Sequence, residues 1–240
     1  MHIQARGLDY RNLNEIVRIS SDREVVIEGC MGQRYIGAGL SGREIRIHGT
    51  PGNALGAYLD GCDVYVDGNA QDAIGDTMNA GRIIVNGNAG DAVGYAMRGG
   101  KIFIRGDAGY RVGIHMKAYR ERKPAIVVGG VVGSFLGEYQ AGGVIVVLDL
   151  NRDPLGIVGN FCGTGMHGGE MYLRCSEIPA ALPAQVRAEK VGFLQSGEVA
   201  DLLREYCAAF GLDPAQVLSE PFVRLAPDSG NPYRQLYTNN

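Results

Sequence analysis

The run Arg82-Ile-Ile-Val-Asn-Gly-Asn-Ala-Gly-Asp-Ala-Val-Gly94 returns 19 residues later as Lys101-Ile-Phe-Ile-Arg-Gly-Asp-Ala-Gly-Tyr-Arg-Val-Gly113. Place by place the two agree: one basic residue, three apolar residues, then glycine at the sixth, ninth and thirteenth positions. A fixed period of this length marks a supersecondary unit that stacks on copies of itself. The period extends in both directions. Gly37, Gly56, Gly75, Gly94 and Gly113 step by 19, Gly137 follows 24 later and Gly156 another 19 on. Gly49, Gly68, Gly87, Gly106 and Gly130 show the same step and slip, as do Gly42, Gly61, Ala80, Gly99, Ala118 and Gly142. A shared slip of five residues places one insertion between Gly113 and Gly130.

Apolar residues keep the same period. Ile45, Val64, Ile83, Ile102, Ile126 and Ile145 form one column; Ile47, Val66, Val85, Ile104, Val128 and Val147 form another two residues on. β-Branched residues at a spacing of two make a strand with one face buried. Leu55, Ile74, Val93, Val112, Leu136 and Leu155 form a third column, and Leu40, Leu59, Met78, Met97 and Met116 a fourth. No coil can bury this apolar face alone, and stacking makes the core continuous. The expected fold is mainly β: a single-stranded right-handed parallel β-helix, or solenoid, over residues 22–175. It has about seven coils, stacked ~4.8 Å apart, of 19 residues each. A left-handed hexapeptide helix needs a six-residue sub-period, and the calcium-binding roll needs repeated Gly-Gly-x-Gly-x-Asp; the sequence has neither.

The division expected is a solenoid domain at 1–175 and a helical and irregular extension at 176–240. Val199, Leu202, Leu203, Tyr206 and Phe210 share one helical face, with Gly211 as C-cap. A short second helix is expected at Pro214–Ser219, capped by Asp213. The tail Phe222–Asn240 reads as extended, with Tyr233 and Tyr237 packing back on the solenoid.

Of the 37 glycines in 240 residues, 33 precede residue 171 and 4 follow it. They lack a three-residue period, which excludes collagen, and 45% hydrophobic content excludes a disordered linker. A net charge of −3 argues against general nucleic-acid binding. No apolar run is long enough to span a membrane, and Met1–Tyr10 has no signal-peptide core. The cysteines, Cys30, Cys62, Cys162, Cys175 and Cys207, form no metal-binding cluster. A reducing cytoplasmic setting is expected, with Cys30, Cys62 and Cys162 as small core residues.

The corners carry Gly-x-x-Gly-x-x-x-Gly. It is complete at Gly49/Gly52/Gly56, Gly87/Gly90/Gly94, Gly106/Gly109/Gly113 and Gly130/Gly133/Gly137. Glycine at such corners is expected to supply turns of positive φ or a tight approach of backbones. Gln71 interrupts one coil, Asp149 and Arg152 stand in the coil ending at Gly156, and Gly29/Gly32/Gly37 is one residue longer.

This pattern, with Gly163-Thr-Gly-Met-His-Gly-Gly169, resembles the GXGXG β-helix domain of glutamate synthase, including its stand-alone form in multi-subunit enzymes. It also resembles the solenoid subunit of formylmethanofuran dehydrogenase. The helical extension favours the former. The resemblance implies a non-catalytic structural subunit that holds a class II glutamine amidotransferase subunit and an FMN/iron–sulfur synthase subunit in a fixed relation. Glutamine and 2-oxoglutarate then become glutamate. It implies no catalytic residue, metal or cofactor in this chain, with FMN and iron–sulfur in the partners. Met1-His2 opens the chain without the cysteine nucleophile of an amidotransferase. The other classes considered are an independent carbohydrate-active β-helix enzyme, disfavoured by the lack of Trp, and a self-assembling homo-oligomer.

The remaining candidates read as structural. His167 lies in a glycine-rich turn without neighbouring ligands, and His2, His48 and His115 are scattered. Asp72 and Asp91 with Asp153, and the ladder Asn69, Asn88 and Asp107, read as turn caps. The corners lack the Gly-Lys-Ser/Thr of a phosphate loop and the strand-to-helix setting of a dinucleotide fold. Two features are assigned to partner contact. Residues 115–123 hold Lys117, Arg120, Arg122 and Lys123 against one acid, which suits an acidic surface. The outward strand position runs Arg46, Tyr65, Ile84, Phe103, Val127, Val146, polar early and apolar late. Either the C-terminal helix or a partner covers its apolar part; if a partner does, Ile84→Glu with Phe103→Glu weakens assembly without unfolding the chain.

Overall fold

The computed structural model describes residues 1–228. One sheet of 11 strands runs the length of the molecule, with few helices. Its first nine strands follow in chain order and pair in parallel: β1 (His2–Gln4), β2 (Glu24–Met31), β3 (Glu44–Thr50), β4 (Asp60–Val66), β5 (Ala80–Val85), β6 (Lys101–Ile104), β7 (Ala125–Val128), β8 (Ala141–Val147) and β9 (Gly168–Leu173). The register is that of the expected columns. Ile45 pairs with Val64, Val64 with Ile83, Ile83 with Ile102, Ile102 with Ile126 and Ile126 with Ile145. All six are fully buried in one continuous core.

Both ends of the stack are closed from within the chain. Helix α1 (Tyr10–Ile19) lies between the first two strands and buries Leu13 and Val17 against the core. Asp9 caps it by accepting from the amides of Arg11 (2.8 Å) and Asn12 (3.0 Å). Arg43 donates to the carbonyls of Val17 and Ser20 at the other end, where a helix leaves acceptors unpaired. At the far end β11 (Phe222–Pro227) pairs antiparallel with β9, and β10 (Val186–Gly192) pairs antiparallel with β11. The edge strand β10 carries Arg187, Glu189 and Lys190, charges that discourage edge pairing.

The C-terminal helices form as their caps predict. Helix α2 (Glu198–Phe210) ends at Gly211 with φ 64°, and Asp213 caps α3 (Pro214–Leu218) through the Ala215 amide at 2.9 Å. Tyr233 and Tyr237, expected to pack on the solenoid, lie outside the described residues.

The last coil departs from the reading of the sequence. Gly156 does not continue the corner column, and Leu155 is 93% exposed. The successor of Gly137 is Gly163, 26 residues on, whose amide donates to Leu136 where Gly137's donates to Val112. Cys162, not Leu155, takes the core place after Leu136. The cause is a second insertion. Asp149 and Leu150 still bond to the preceding coil; the chain then loops out, and pairing resumes at Val158 with Val132. Asp149 and Asp153 cap that loop, accepting from the amides of Asp153 (2.8 Å) and Leu155 (2.7 Å). In the true register Gly156, Gly159 and Gly163 form a further complete corner motif.

Candidate functional site

The motif glycines are explained by their neighbours in adjacent coils, and the three places of the motif answer to different demands. A Cβ on Gly106, a first-place glycine, would stand 2.0 Å from Asn88 Oδ1, and one on Gly130 would stand 1.9 Å from Asp107 Oδ1. The same side-chain oxygens bond the next coil. Asn69 accepts from the Asn88 amide (2.8 Å), Asn88 from Asp107 (2.9 Å) and Asp107 from Val131 (2.9 Å). Gly49 and Gly87 are crowded in the same way, by the Cys30 carbonyl and by Asn69 Oδ1.

At the middle glycines it is the second of the two expected reasons, tight approach, that applies. Gly52, Gly90, Gly109 and Gly133 lie in neither strand nor turn, and none of them takes a positive φ. Close approach alone excludes a side chain there. A Cβ on Gly52 would overlap the Gly32 carbonyl, one on Gly90 would overlap Asp72 Oδ1, and one on Gly109 would overlap Asp91 Oδ1. At Gly133 it would stand 3.0 Å from the Gly109 carbonyl, so this last place is the least tight of the four. A second ladder of bonds passes through these contacts, from Asp72 to the Asp91 amide (2.9 Å) and from Asp91 to the Tyr110 amide (2.8 Å). Each acid or amide thus caps the coil above it and occupies the space a Cβ would need.

At the third place Gly56, Gly94, Gly113 and Gly137 all show positive φ, whereas at the first place Gly49 and Gly156 show it and Gly87, Gly106 and Gly130 do not. Gly94 has φ +70°, and a Cβ there would lie 2.4 Å from the buried Ile126 Cδ1.

The outer apolar stripe is covered by the chain itself. Ile84, Phe103, Val127 and Val146 form a second buried cluster with Leu202, Leu203 and Tyr206 of α2 and with Phe222. These four residues are therefore not partner contacts: α2 fills that position. Phe103 and Tyr206 meet edge to face at 5.7 Å, and the Tyr206 hydroxyl donates to the Ile104 carbonyl at 3.2 Å. Burial raises that hydroxyl's pKa well above the usual tyrosine value. Ion pairs of Lys101 with Glu205, and of Lys123 with Glu198 at 3.0 Å, hold the helix margin.

The basic insertion folds back on the chain. Tyr119 and Arg122 close a tight turn with two backbone bonds of 3.0 Å. Arg122 pairs with Asp60 at 3.2 Å, and Lys123 with Glu198. Arg120 lies over the Tyr119 ring at 5.2 Å. Arg122 and Lys123, assigned to partner docking, are thus paired within the chain.

Glu170 on β9 joins the closing strands. Its carboxylate accepts from Arg224 on β11 at 3.1 Å and from the Tyr172 hydroxyl at 2.8 Å. Burial alone raises the pKa of Glu170, but the bonds from Arg224 and Tyr172 outweigh it and leave it lowered. Tyr172 is pushed up to about 12 by burial and by its bond to the carboxylate. His167 holds its turn, with Nδ1 3.0 Å from the Gly165 carbonyl. His48 Nδ1 lies 2.5 Å from Asp67 and its Nε2 3.8 Å from Glu28, bridging three coils on the outer face. Among the described residues, no group of three or more His, Cys, Asp or Glu could hold a metal ion.

One corner carries side chains that neither core nor backbone requires. Tyr35 (φ 60°), Tyr58 (57°), His115 (54°), Phe135 (65°), Tyr139 (53°) and Phe161 (60°) all adopt left-handed backbone. The conformation costs an ordinary residue ~1–2 kcal/mol, while an aromatic pair returns ~0.5–1.5 kcal/mol. His115 and Tyr139 stack at 5.2 Å with planes 8° apart, Tyr95 meets His115 edge-on at 5.9 Å, and Phe135 stacks on Phe161 at 5.0 Å. Arg111 lies 4.9 Å from the Phe135 ring and pairs with Glu138 at 3.1 Å. Neither period nor motif singles out these rings. Their signal in the sequence is an aromatic at corner positions where other coils carry residues such as Ala54, Ala73, Thr77, Ala92, Ala96 and Arg111.

The profile of the GXGXG motif family matches residues 14–228. The chain belongs to the GXGXG motif family. The match runs past residue 175 and takes in the C-terminal helices and strands, so the extension is part of what the GXGXG profile recognises. The uncharacterized protein MJ1350 of Methanocaldococcus jannaschii is 39% identical over 249 residues, covering 98% of this chain and 95% of that one. Among solved structures, a chain of the formyltransferase/hydrolase complex of Methylorubrum extorquens, determined with methylofuran, shares the fold. It aligns with a TM-score of 0.64 and 24% identity over 88% of this chain and 76% of that one. That coverage exceeds what residues 1–175 could supply. The helical extension therefore does not single out a glutamate synthase. Among the described residues, no helix is long and apolar enough to cross a membrane.

Proposed function

We propose that this GXGXG chain is a non-catalytic structural subunit of a multi-subunit complex of the formyl-transfer kind. The solenoid subunit of formylmethanofuran dehydrogenase is then a functional counterpart. The observation that carries the structural role is where the repeated polar residues spend their bonds. Asn69, Asn88, Asp72, Asp91 and Asp107 each accept a backbone amide of the next coil. Side chains fixed in that way stiffen a column rather than serve a reaction. Membership of a formyl-transfer complex is supported by the likeness to the Methylorubrum extorquens chain, which extends into the C-terminal segment.

We take the coils at 1–175 as a right-handed β-helix of seven turns, the hand that parallel crossovers adopt in nearly every case, and 176–240 as its extension. A stack of this kind offers long, rigid side surfaces. A second reading is a glutamate synthase-type complex, with amidotransferase and FMN/iron–sulfur partners; the corner motif itself favours it. Native isolation of the tagged chain from its host, with mass spectrometry and an absorption spectrum, separates the two. Molybdenum or tungsten pterin subunits, or formyltransferase subunits, support the first reading. An amidotransferase with a flavin and iron–sulfur spectrum supports the second. A chain isolated alone overturns both.

A further inference from the structure

We propose that residues 229–240, which follow the last described residue, dock back over the corner formed by Tyr95, His115 and Tyr139, with Tyr233 and Tyr237 as anchors. The inference concerns the chain by itself and does not depend on the subunit reading.

The occupant is identified by where the described chain leaves the sheet. Pro227 pairs with Val186, and the Asp228 amide donates to the Gln185 carbonyl at 2.8 Å. Val186 in turn packs on Gly163, its Cγ2 standing 2.7 Å from where a Gly163 Cβ would be. Two residues on, the Tyr139 ring overlies Gly165, and a Cβ there would overlap it. A run of contacts thus leads from Asp228 to Tyr139. From the coil of Gly165 to that of Tyr95 there are three coil steps, or ~14 Å at ~4.8 Å each. An extended chain covers at most ~3.3–3.6 Å per residue. Tyr233 can therefore reach ~17 Å from Asp228 and Tyr237 ~30 Å, enough to span the corner. The exposed Phe193 follows Gly192, which pairs with Phe222 at the opposite end of β11, so it is the less accessible target.

The chemistry of the two surfaces matches. Ser229-Gly-Asn-Pro-Tyr-Arg-Gln-Leu-Tyr-Thr-Asn-Asn240 has Arg234 as its one charged side chain, and its large apolar side chains are Tyr233, Leu236 and Tyr237. Tyr95 is 40% exposed and Tyr139 38%. Half-open rings of this kind give tyrosines an apolar face to stack on while their hydroxyls stay wet. The stack of His115 on Tyr139 ends at Gly165, which contributes no ring. Tethering then decides between occupants. A segment joined to its surface by a few residues is present at an effective concentration in the mM range. Ring contacts too weak to hold a separate chain or a second copy are strong enough to hold this one.

The test uses the full chain. A photo-crosslinking phenylalanine analogue replaces Tyr237, isotope-labelled and unlabelled protein are mixed and irradiated, and the crosslinked peptides are sequenced. The expected result is a crosslink within one copy, to peptides that hold Tyr95, His115 or Tyr139. Crosslinks to other faces, crosslinks between labelled and unlabelled copies, or none at all overturn the placement. Separately, tyrosine nitration is compared in the wild type and in Tyr233→Ser/Tyr237→Ser. Tyr95 and Tyr139 should react severalfold faster in the variant, while Tyr58 and Tyr110, exposed and outside the three-ring corner, keep their rates. Tyr206, fully buried, stays unreactive as long as the fold is intact. Unchanged rates at Tyr95 and Tyr139 overturn the inference. Either failure leaves the subunit reading as it stands, because that reading does not use this segment.

Discussion

Asn88 and Gly106 are a lock and its keyhole. The Asn88 side-chain oxygen stands 2.0 Å from where a Gly106 Cβ would be, and it accepts the amide of the following residue, Asp107, at 2.9 Å. The polar ladder and the glycine column are thus one device. Each side chain bonds the coil above only because that coil has no side chain in the way.

Gly106→Ala should therefore cost about 2–4 kcal/mol, the range for overpacking combined with a lost backbone bond. Urea unfolding of Gly106→Ala, Asn88→Ala and the double variant provides the check. The double variant should cost less than the two single changes summed, because removing Oδ1 makes room for the new methyl group. Additive losses would show that the two residues act independently.

The buried stripe under α2 predicts loss of stability rather than loss of assembly. Phe103 is 1% exposed and Tyr206 fully buried. Phe103→Ala should cost ~3–5 kcal/mol, and Ile84→Glu with Phe103→Glu should unseat α2 in the isolated chain. Tyr206→Phe should cost only about 1 kcal/mol, because the Ile104 carbonyl it would leave still accepts from the Gly129 amide at 2.8 Å. Thermal melts of the isolated variants decide this; unchanged melting of the double glutamate variant would return the stripe to a partner.

Acid should loosen the β9–β11 closure. The folded pKa of Glu170 is lowered from 4.5. Its contribution to stability is complete above that ordinary value and is lost as the pH falls through the lower folded one. Glu170→Gln should lower the unfolding midpoint at pH 7 and flatten its dependence on pH on the acid side. A variant that keeps the full acid slope would assign that slope to other carboxylates.

Thiol labelling should follow exposure. All five cysteines are free, and burial pushes Cys30 up to about 11 and Cys162 up to about 12. Cys175 is half-buried, and burial raises it as well. Alkylation of the native chain at pH 8 should modify Cys175 first and leave Cys162 until unfolding, as peptide mapping would show. Early labelling of Cys162 would mean that the last coil opens.

The helix at Tyr10–Ile19 escapes a search for period, although Asp9, Leu13, Ile16 and Val17 carry its cap and apolar face. It is a single helix ahead of the repeat, with no copy to align it on. The last coil misleads in the opposite way, because Gly156 happens to keep the 19-residue step. Only the pairing of Val158 with Val132 shows that the chain loops out before it resumes.

The sequence alone determined the coil: its strand, its corners, its first insertion and the identity of every core column through Val147. Stacking places like residues on like, so the period along the chain is a direct image of contacts between coils. It also placed both C-terminal helices, because caps and apolar spacing act within a few residues. Only the tertiary structure decided which corner glycines turn the chain and which only make room, what covers the outer stripe, and which cations the chain keeps for itself. Tyr206 bonds Ile104 across 102 positions, and Lys123 bonds Glu198 across 75. No period links such residues: an apolar face states that it must be covered, and folding in three dimensions selects the cover.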